Sequence, residues 1–199
     1  MIAEAVDAIQ RGKLIIIPTD TVYGLATTAL HADAVLNLYR LKNRRVTQPT
    51  ALLAPDLDML FELVPELRGR AGVIARALLP GPYTLVLPNP ARRYSWLTGA
   101  NYDTIGVRVP ELPEPCTEVL ARVSALAATS ANHAGGPDPA RLEDVPEEFK
   151  ETAAVIVDGG ELSGVPSTVL DFTGREPRVL REGAASGAEA IERALAAVD

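Results

Sequence analysis

The stretch that most constrains this chain is Lys13 to Leu25, KLIIIPTDTVYGL. Leu14, Ile15, Ile16 and Ile17 form an unbroken apolar run rich in β-branched residues, and Pro18 stops it by withdrawing a backbone donor. A run that is apolar on both faces predicts a strand in the interior of a covered sheet. Thr19, Asp20, Thr21, Tyr23 and Gly24 follow at its carboxyl end, where open α/β sheets hold their ligands. They are read as a polar loop running from Pro18 to Leu25.

The remaining chain tells how large a core this strand joins. With 199 residues, 47% apolar and 23% charged, there is enough apolar material for one sizeable core, and the whole of 1–199 reads as one domain. Cys116 stands alone, which excludes an internal disulfide, and His31 and His133 give no zinc-ligand spacing, so no metal site is expected. No apolar run approaches signal-peptide or membrane-spanning length, so the cytoplasm is the expected setting. A net charge of -7 argues against a protein that coats nucleic acid non-specifically. Any anion site must therefore be local.

Periodicity supplies the other elements. Ile2, Ala5, Val6 and Ile9 predict an amphipathic helix closed by Gly12, and Asp33 is the expected cap of a second helix through Val35, Leu38 and Leu41. Further helices are predicted from Asp56 to Pro65, along Leu67 to Leu78, over Thr117 to Val123 and over Ala188 to Val198. Strands are predicted at Ala51 to Ala54, Tyr83 to Leu87, Ile105 to Val109, Ala125 to Thr129, Ala154 to Val157, Thr168 to Phe172 and Val179 to Leu180. Several consecutive strands have no helix between them. The expected fold is thus α/β: a single domain with a large twisted mixed β-sheet flanked by helices.

Three polar clusters share one chemical character. Thr19, Thr21, Thr129, Ser130, Ser167 and Thr168 bring hydroxyls, Lys42, Arg44, Arg108 and Arg181 bring positive charge, and Asn132 brings an amide. Hydroxyls and cations together suit an anionic ligand with further hydrogen-bonding groups, since Arg grips phosphate or carboxylate bidentately while Lys offers a point charge. For the run Arg40, Lys42, Arg44, Arg45, charge alone favours the plainer reading of a solvated helix end, worth about 0.3–1 kcal/mol. Neither histidine pairs with a hydroxyl in a recognisable arrangement, and Cys116 has no basic neighbour to lower its pKa, which disfavours acyl-enzyme chemistry. There is no phosphate-binding glycine loop of known pattern.

Taken in order, the segments IIIPTDTVYGL, LYRLKNRRVTQP, LLPGPYTLVLP, IGVRVPELP, ALAATSANHAGG, VIVDGGELSGVPSTVLDFTG and VLREG resemble the YrdC-like domain of threonylcarbamoyl-AMP synthases. The resemblance covers most of the chain. It implies an α/β fold around a deep cationic cleft, and the condensation of L-threonine, bicarbonate and ATP into threonylcarbamoyl-adenylate and pyrophosphate. That is the first step towards N6-threonylcarbamoyladenosine in transfer RNAs reading codons that begin with A. Magnesium would arrive mainly on ATP. Double-stranded RNA, transfer RNA and the proteins of the later transfer step are the macromolecular partners it implies.

By the same resemblance, Lys42 and Arg44 grip the ATP phosphates as the catalytic cations, Ser130 and Asn132 bind the phosphate region, and Arg181 contacts the nucleotide. Thr21, Arg108, Thr129 and Ser167 surround threonine, while Thr19, Tyr23 and Thr168 shape the pocket. Asp20 is read as a turn residue with a lesser outer-sphere role, and Arg45 to Thr50 as a mobile lid. Arg45, Thr50 and Glu182 depart from the family pattern: Arg45 adds a candidate phosphate contact, and Glu182 sets an acid beside Arg181. The chain resembles the short family form. Two other readings use the same residues: an RNA-binding or ribosome-assembly factor with Arg40 to Arg45 as its basic patch, and a paralogue that adenylates another small substrate.

Overall fold

Ile15, Ile16 and Ile17 are all buried and, with Pro18, make strand β1 (Ile15–Pro18) of a computed structural model that describes residues 1–198. The segment after it is not the long loop expected. Only Thr19 to Val22 turn, and Tyr23 starts β2 (Tyr23–Thr28), which runs antiparallel to β1 with Ile17 opposite Gly24. This strand escapes periodicity because it is buried on both sides yet carries Gly24, Ala26, Thr27 and Thr28. The Thr27 hydroxyl is buried but donates to the Lys13 carbonyl at 3.0 Å, which removes the cost of hiding it.

Seven further strands complete a single sheet among the described residues: β3 (Ala51–Leu53), β4 (Tyr83–Pro88), β5 (Thr104–Arg108), β6 (Leu126–Ser130), β7 (Val155–Ile156), β8 (Thr168–Asp171) and β9 (Arg178–Arg181). Their order is β7-β1-β2-β6-β3-β5-β4-β8-β9. Parallel and antiparallel pairs alternate irregularly: β1 with β7, β3 with β5 and β4 with β8 are parallel, the other neighbours antiparallel. The mixed sheet follows from strands joined both by hairpins and by helices.

The helices are α1 (Ile2–Gln10), α2 (Ala32–Leu41), α3 (Leu57–Leu63), α4 (Arg70–Leu78), α5 (Cys116–Val123), α6 (Glu147–Thr152) and α7 (Gly187–Ala196). Asp33 does not cap α2. His31 holds the cap position without a side-chain bond, and Asp33 lies in the first turn, where its charge meets the helix dipole. Asp56 does cap α3, accepting from the Met59 amide at 2.7 Å. The fourth helix begins at Arg70, later than the Leu67 stripe suggests, because Gly69 turns the chain with a positive φ of 54°. Helix α6 has a single buried residue, Phe149, and so leaves no periodic signal.

The two faces of the sheet are covered differently. On one, Ile16, Leu25, Leu52, Leu85, Leu87, Val107, Ala127 and Leu170 share a core with Val35 and Leu38 of α2, Ile74 and Ala75 of α4, and Ala190 and Ala194 of α7. On the other, Ile15, Ile17, Ala26, Leu53 and Leu126 pack with Ala5 and Ile9 of α1 and Val119 and Leu120 of α5. Beyond Leu53 this second face continues through Ala128, Ala51, Gly106, Val86 and Val169, which line a cavity to which no helix contributes a residue. The site is the part of the sheet that the helices leave bare.

Candidate active site

The cavity is about 470 Å³, within the range of small-molecule sites. Lys42, Arg44, Arg108 and Arg181 line it, and none of the lining residues is acidic.

Lys42 and Arg44 reach it through the way α2 ends. The amide of Arg44 donates to the Tyr39 carbonyl at 2.8 Å and that of Asn43 to Arg40 at 3.1 Å, the two bonds of a Schellman stop. Asn43 takes the left-handed position such a stop requires, with φ 48°. Lys42 is only 6% exposed, and its Nζ donates to the Ser130 carbonyl at 2.6 Å, to Asn132 Oδ1 at 3.2 Å and to Thr129 Oγ1 at 3.5 Å. Arg44 donates from Nη1 to Thr129 Oγ1 at 3.1 Å and from Nη2 to the Pro49 carbonyl, while its buried Nε has no partner. Every acceptor is neutral. Burial, reinforced by the charge of Arg44, pulls the Lys42 pKa down to about 8. Ser130 Oγ donates to Asn132 Oδ1 at 2.7 Å, and the Asn132 amide in turn donates to the Gly136 carbonyl at 2.8 Å.

Arg108 marks the other end. Its Nη2 meets Asp20 Oδ1 at 2.7 Å, in a pair whose side chains are about nine-tenths buried. Asp20 is therefore an ion-pair partner tying the β1–β2 turn to β5, a role invisible to a reading of the turn alone. Asp20 Oδ2 and Arg108 Nε are buried without partners. Desolvation lowers the Arg108 pKa and the Asp20 charge opposes that. Arg181 donates to the Ser167 carbonyl from Nη2 at 2.7 Å, and Ser167 Oγ lies 2.9 Å from Thr84 Oγ1.

Of the residues singled out in the sequence, the cavity brings together Lys42, Arg44, Thr21, Arg108, Thr129, Ser130, Asn132, Ser167 and Arg181. Thr19, Tyr23 and Thr168, expected to shape the pocket, do not line it themselves. Thr19 Oγ1 bonds inside the turn, 3.0 Å from Thr21 Oγ1 and 2.7 Å from the Val22 carbonyl. The Tyr23 hydroxyl bonds Asp158 and the backbone at Gly159 and Gly160, and Thr168 Oγ1 donates to the Ala185 carbonyl. They hold the loops that frame the cavity.

Two further expectations change, and a third is located. Arg45 is exposed and does not line the cavity, and with Lys42 and Arg44 turned inward the run Arg40 to Arg45 is not one solvent-facing basic patch. Glu182 turns away from Arg181 and accepts the Gly187 amide at 3.0 Å, at the start of α7. The segment Arg45 to Thr50, read as a lid, borders the cavity through Gln48, Pro49 and Thr50 and is tied to the 97–100 stretch, Thr50 donating its amide to the Leu97 carbonyl at 2.9 Å and Ala100 donating to Thr47 at 3.1 Å. Sequence reading missed Gln48, Thr84, Thr98, Thr104 and Gly106 as lining residues. Only Gly106 left a trace, as a glycine within a β-branched strand.

A family model described as "Telomere recombination", covering the Sua5, YciO and YrdC proteins, matches residues 7–183. The chain belongs to the Sua5/YciO/YrdC family. It is 38% identical over 178 residues to the threonylcarbamoyl-AMP synthase of Pyrococcus abyssi, covering 88% of this chain and 52% of that protein. The chain thus spans about half the length of that relative. It is 34% identical over 184 residues to the threonylcarbamoyl-AMP synthase of Vibrio cholerae, covering 90% of this chain and 96% of the relative. A crystal structure of P. abyssi Sua5 complexed with L-threonine superposes with a TM-score of 0.84 at 35% identity, over 96% of this chain and 56% of that one. These likenesses agree with the single mixed sheet flanked by helices. Among the described residues no helix is long and apolar enough to cross a membrane.

Proposed function

We propose that this family member is a nucleotidyltransferase that makes threonylcarbamoyl-AMP and pyrophosphate from L-threonine, bicarbonate and ATP. The observation that carries this reading is the cavity with two cationic ends: Lys42 and Arg44 hydrogen-bonded only to neutral acceptors, and Arg108 lining the other end with Asp20 behind it. At the Lys42 and Arg44 end, buried charge with no acid in contact is suited to an anion. Support comes from the relative of matching length in Vibrio cholerae and from the threonine complex of P. abyssi Sua5.

In this reading Lys42, Arg44, Ser130 and Asn132 hold the triphosphate and Arg181 meets the nucleotide. Arg108 takes the carboxylate of threonine, with Thr21, Thr129 and Ser167 around it. The threonine amine and bicarbonate combine to a carbamate with loss of water. A carbamate oxygen then attacks the α-phosphorus, the bond to the bridging oxygen breaks and pyrophosphate leaves. The step demands positioning and charge neutralisation, and no enzymic nucleophile. Magnesium, carried on the triphosphate as part of the substrate, would supply further charge neutralisation beside Lys42 and Arg44. The side chains here are cations and hydroxyls that fit a metal-loaded triphosphate, and the nearby carboxylate of Asp20 is committed to Arg108. The adenylate is consumed in the cytoplasm by an enzyme that transfers the threonylcarbamoyl group to transfer RNA.

Purified protein with ATP, magnesium, bicarbonate and L-threonine should release pyrophosphate and yield the adenylate by mass spectrometry, each requiring both threonine and bicarbonate. Pyrophosphate release that ignores threonine would overturn the reading in favour of a paralogue with another substrate. Tight duplex RNA binding that falls steeply with salt, with no ATP turnover, would overturn it in favour of an RNA-binding factor.

A further inference from the structure

The cavity floor is made of unusually little side chain. Register places Ala128 of β6 opposite Ala51 of β3, and Gly106 of β5 opposite Val86 of β4; the pairing of Leu52 with Val107 sets Ala51 beside Gly106. Gly106 is the lowest point of that row. Its conformation does not require glycine, since its φ is ordinary. Nor does packing require it: an added Cβ would meet nothing closer than Thr84 Cγ2 at 3.7 Å and the Ala51 Cα at 3.8 Å. Gly159 shows the contrast, because a Cβ there would fall 2.6 Å from the ring of Pro18. A glycine within a strand weakens it, and where neither backbone nor neighbours demand it, the remaining reason is close approach of a ligand.

Arg108 identifies that ligand. It follows Gly106 by two positions on the same strand and lines the same cavity, which places the two about 6.6 Å apart along the sheet. It is more than nine-tenths buried, with an unpartnered Nε. A carboxylate gripped by Arg108 therefore brings the rest of its amino acid over the floor, whereas Lys42 and Arg44 gather around Thr129 and Ser130 of β6. We infer that Gly106 is a specificity-determining residue: it reserves the depth that the amino-acid substrate occupies, so the bulk accepted next to the carboxylate is set by the absence of a side chain at this position. The inference rests on the synthase reading above.

The test compares the unmodified protein with Gly106→Ala and Gly106→Val. Thermal unfolding, Mg·ATP binding by calorimetry, and pyrophosphate release with L-threonine, L-serine or glycine are followed. Expected for Gly106→Ala are an unfolding midpoint unchanged or raised, Mg·ATP binding retained, a KM for threonine raised about tenfold, and a preference moved towards serine or glycine. Gly106→Val should stay folded and lose threonine use. An unchanged threonine KM in Gly106→Ala overturns the inference, as does a marked fall in its unfolding midpoint or an equal loss of ATP and threonine. If the unmodified protein makes no adenylate, the synthase reading fails and takes this inference with it. If it is active and Gly106→Ala behaves identically, this inference fails alone.

Discussion

The two ends of the cavity store positive charge in opposite ways. At Arg108 the charge has a counterion: Asp20 lies 2.7 Å away and both side chains are buried. At Lys42 and Arg44 no carboxylate is in contact: the acceptors are carbonyls, a hydroxyl and an amide oxygen, and Asp138 acts on Lys42 only from behind Asn132. A paired buried charge fixes geometry, and removing either partner strands the other. An unpaired one lowers stability until an anion arrives. The first end is built to orient and the second to be filled.

The largest effect that tests this contrast is on turnover. Lys42→Ala and Arg44→Ala should each lower pyrophosphate release by about 10²–10³-fold while leaving the fold intact by circular dichroism. Unchanged turnover in either variant would remove that residue from the site. Asp20→Ala leaves Arg108 buried without its partner and should cost about 3–5 kcal/mol in urea unfolding. A loss well under 1 kcal/mol would dissolve the distinction between the ends.

A third experiment reads the unpaired end through pH. The folded-state pKa of Lys42, about 8, lies below its unfolded value of about 10.4. Between the two the unfolded chain holds the extra proton, so Lys42 contributes stability that grows as pH rises through this window and a penalty that is complete below it. If Lys42 meets the phosphates as proposed, Mg·ATP affinity should fall as pH passes about 8, because its charge is lost there. Lys42→Met should abolish both trends, and identical pH profiles for the two proteins would refute the assignment. The smallest effect belongs to Glu182→Gln, which removes a negative charge from the start of α7 and should cost about 0.5–1 kcal/mol by thermal unfolding with little change in turnover. A large activity loss there would return Glu182 to the nucleotide end.

Where the chain announced itself, it did so through continuous burial or through punctuation. Ile15 to Ile17 read as a core strand because nothing polar interrupts them, and Pro80, Gly81 and Pro82 end α4 and open β4 as their chemistry dictates. β2 was hidden because its burial is achieved by small and hydroxylic residues whose bonds lie elsewhere in the chain, such as Thr27 with Lys13. The membership of the cavity was legible as a set of hydroxyls and cations. Its internal wiring was not: Asp20 and Arg108 are 88 residues apart, and Lys42 meets Asn132 across 90. Such contacts are created by strand order. The inward turn of Lys42 and Arg44, by contrast, depends on Asn43 adopting a left-handed conformation, and asparagine directly after a helix is a signal that local chemistry provides.

The side chains around the cavity come from nearly the whole length of the chain, beginning at Thr21 and finishing with Arg181 on the edge strand β9. During synthesis the Lys42 cluster has its strands once β6 has left the ribosome, but β8 and β9 emerge last among the strands and bring Ser167 and Arg181 with them. A nascent chain that stalled after α6 would thus carry cations without the wall that completes their pocket. The cavity is therefore the last part of the sheet that the chain can complete, at the edge formed by β8 and β9.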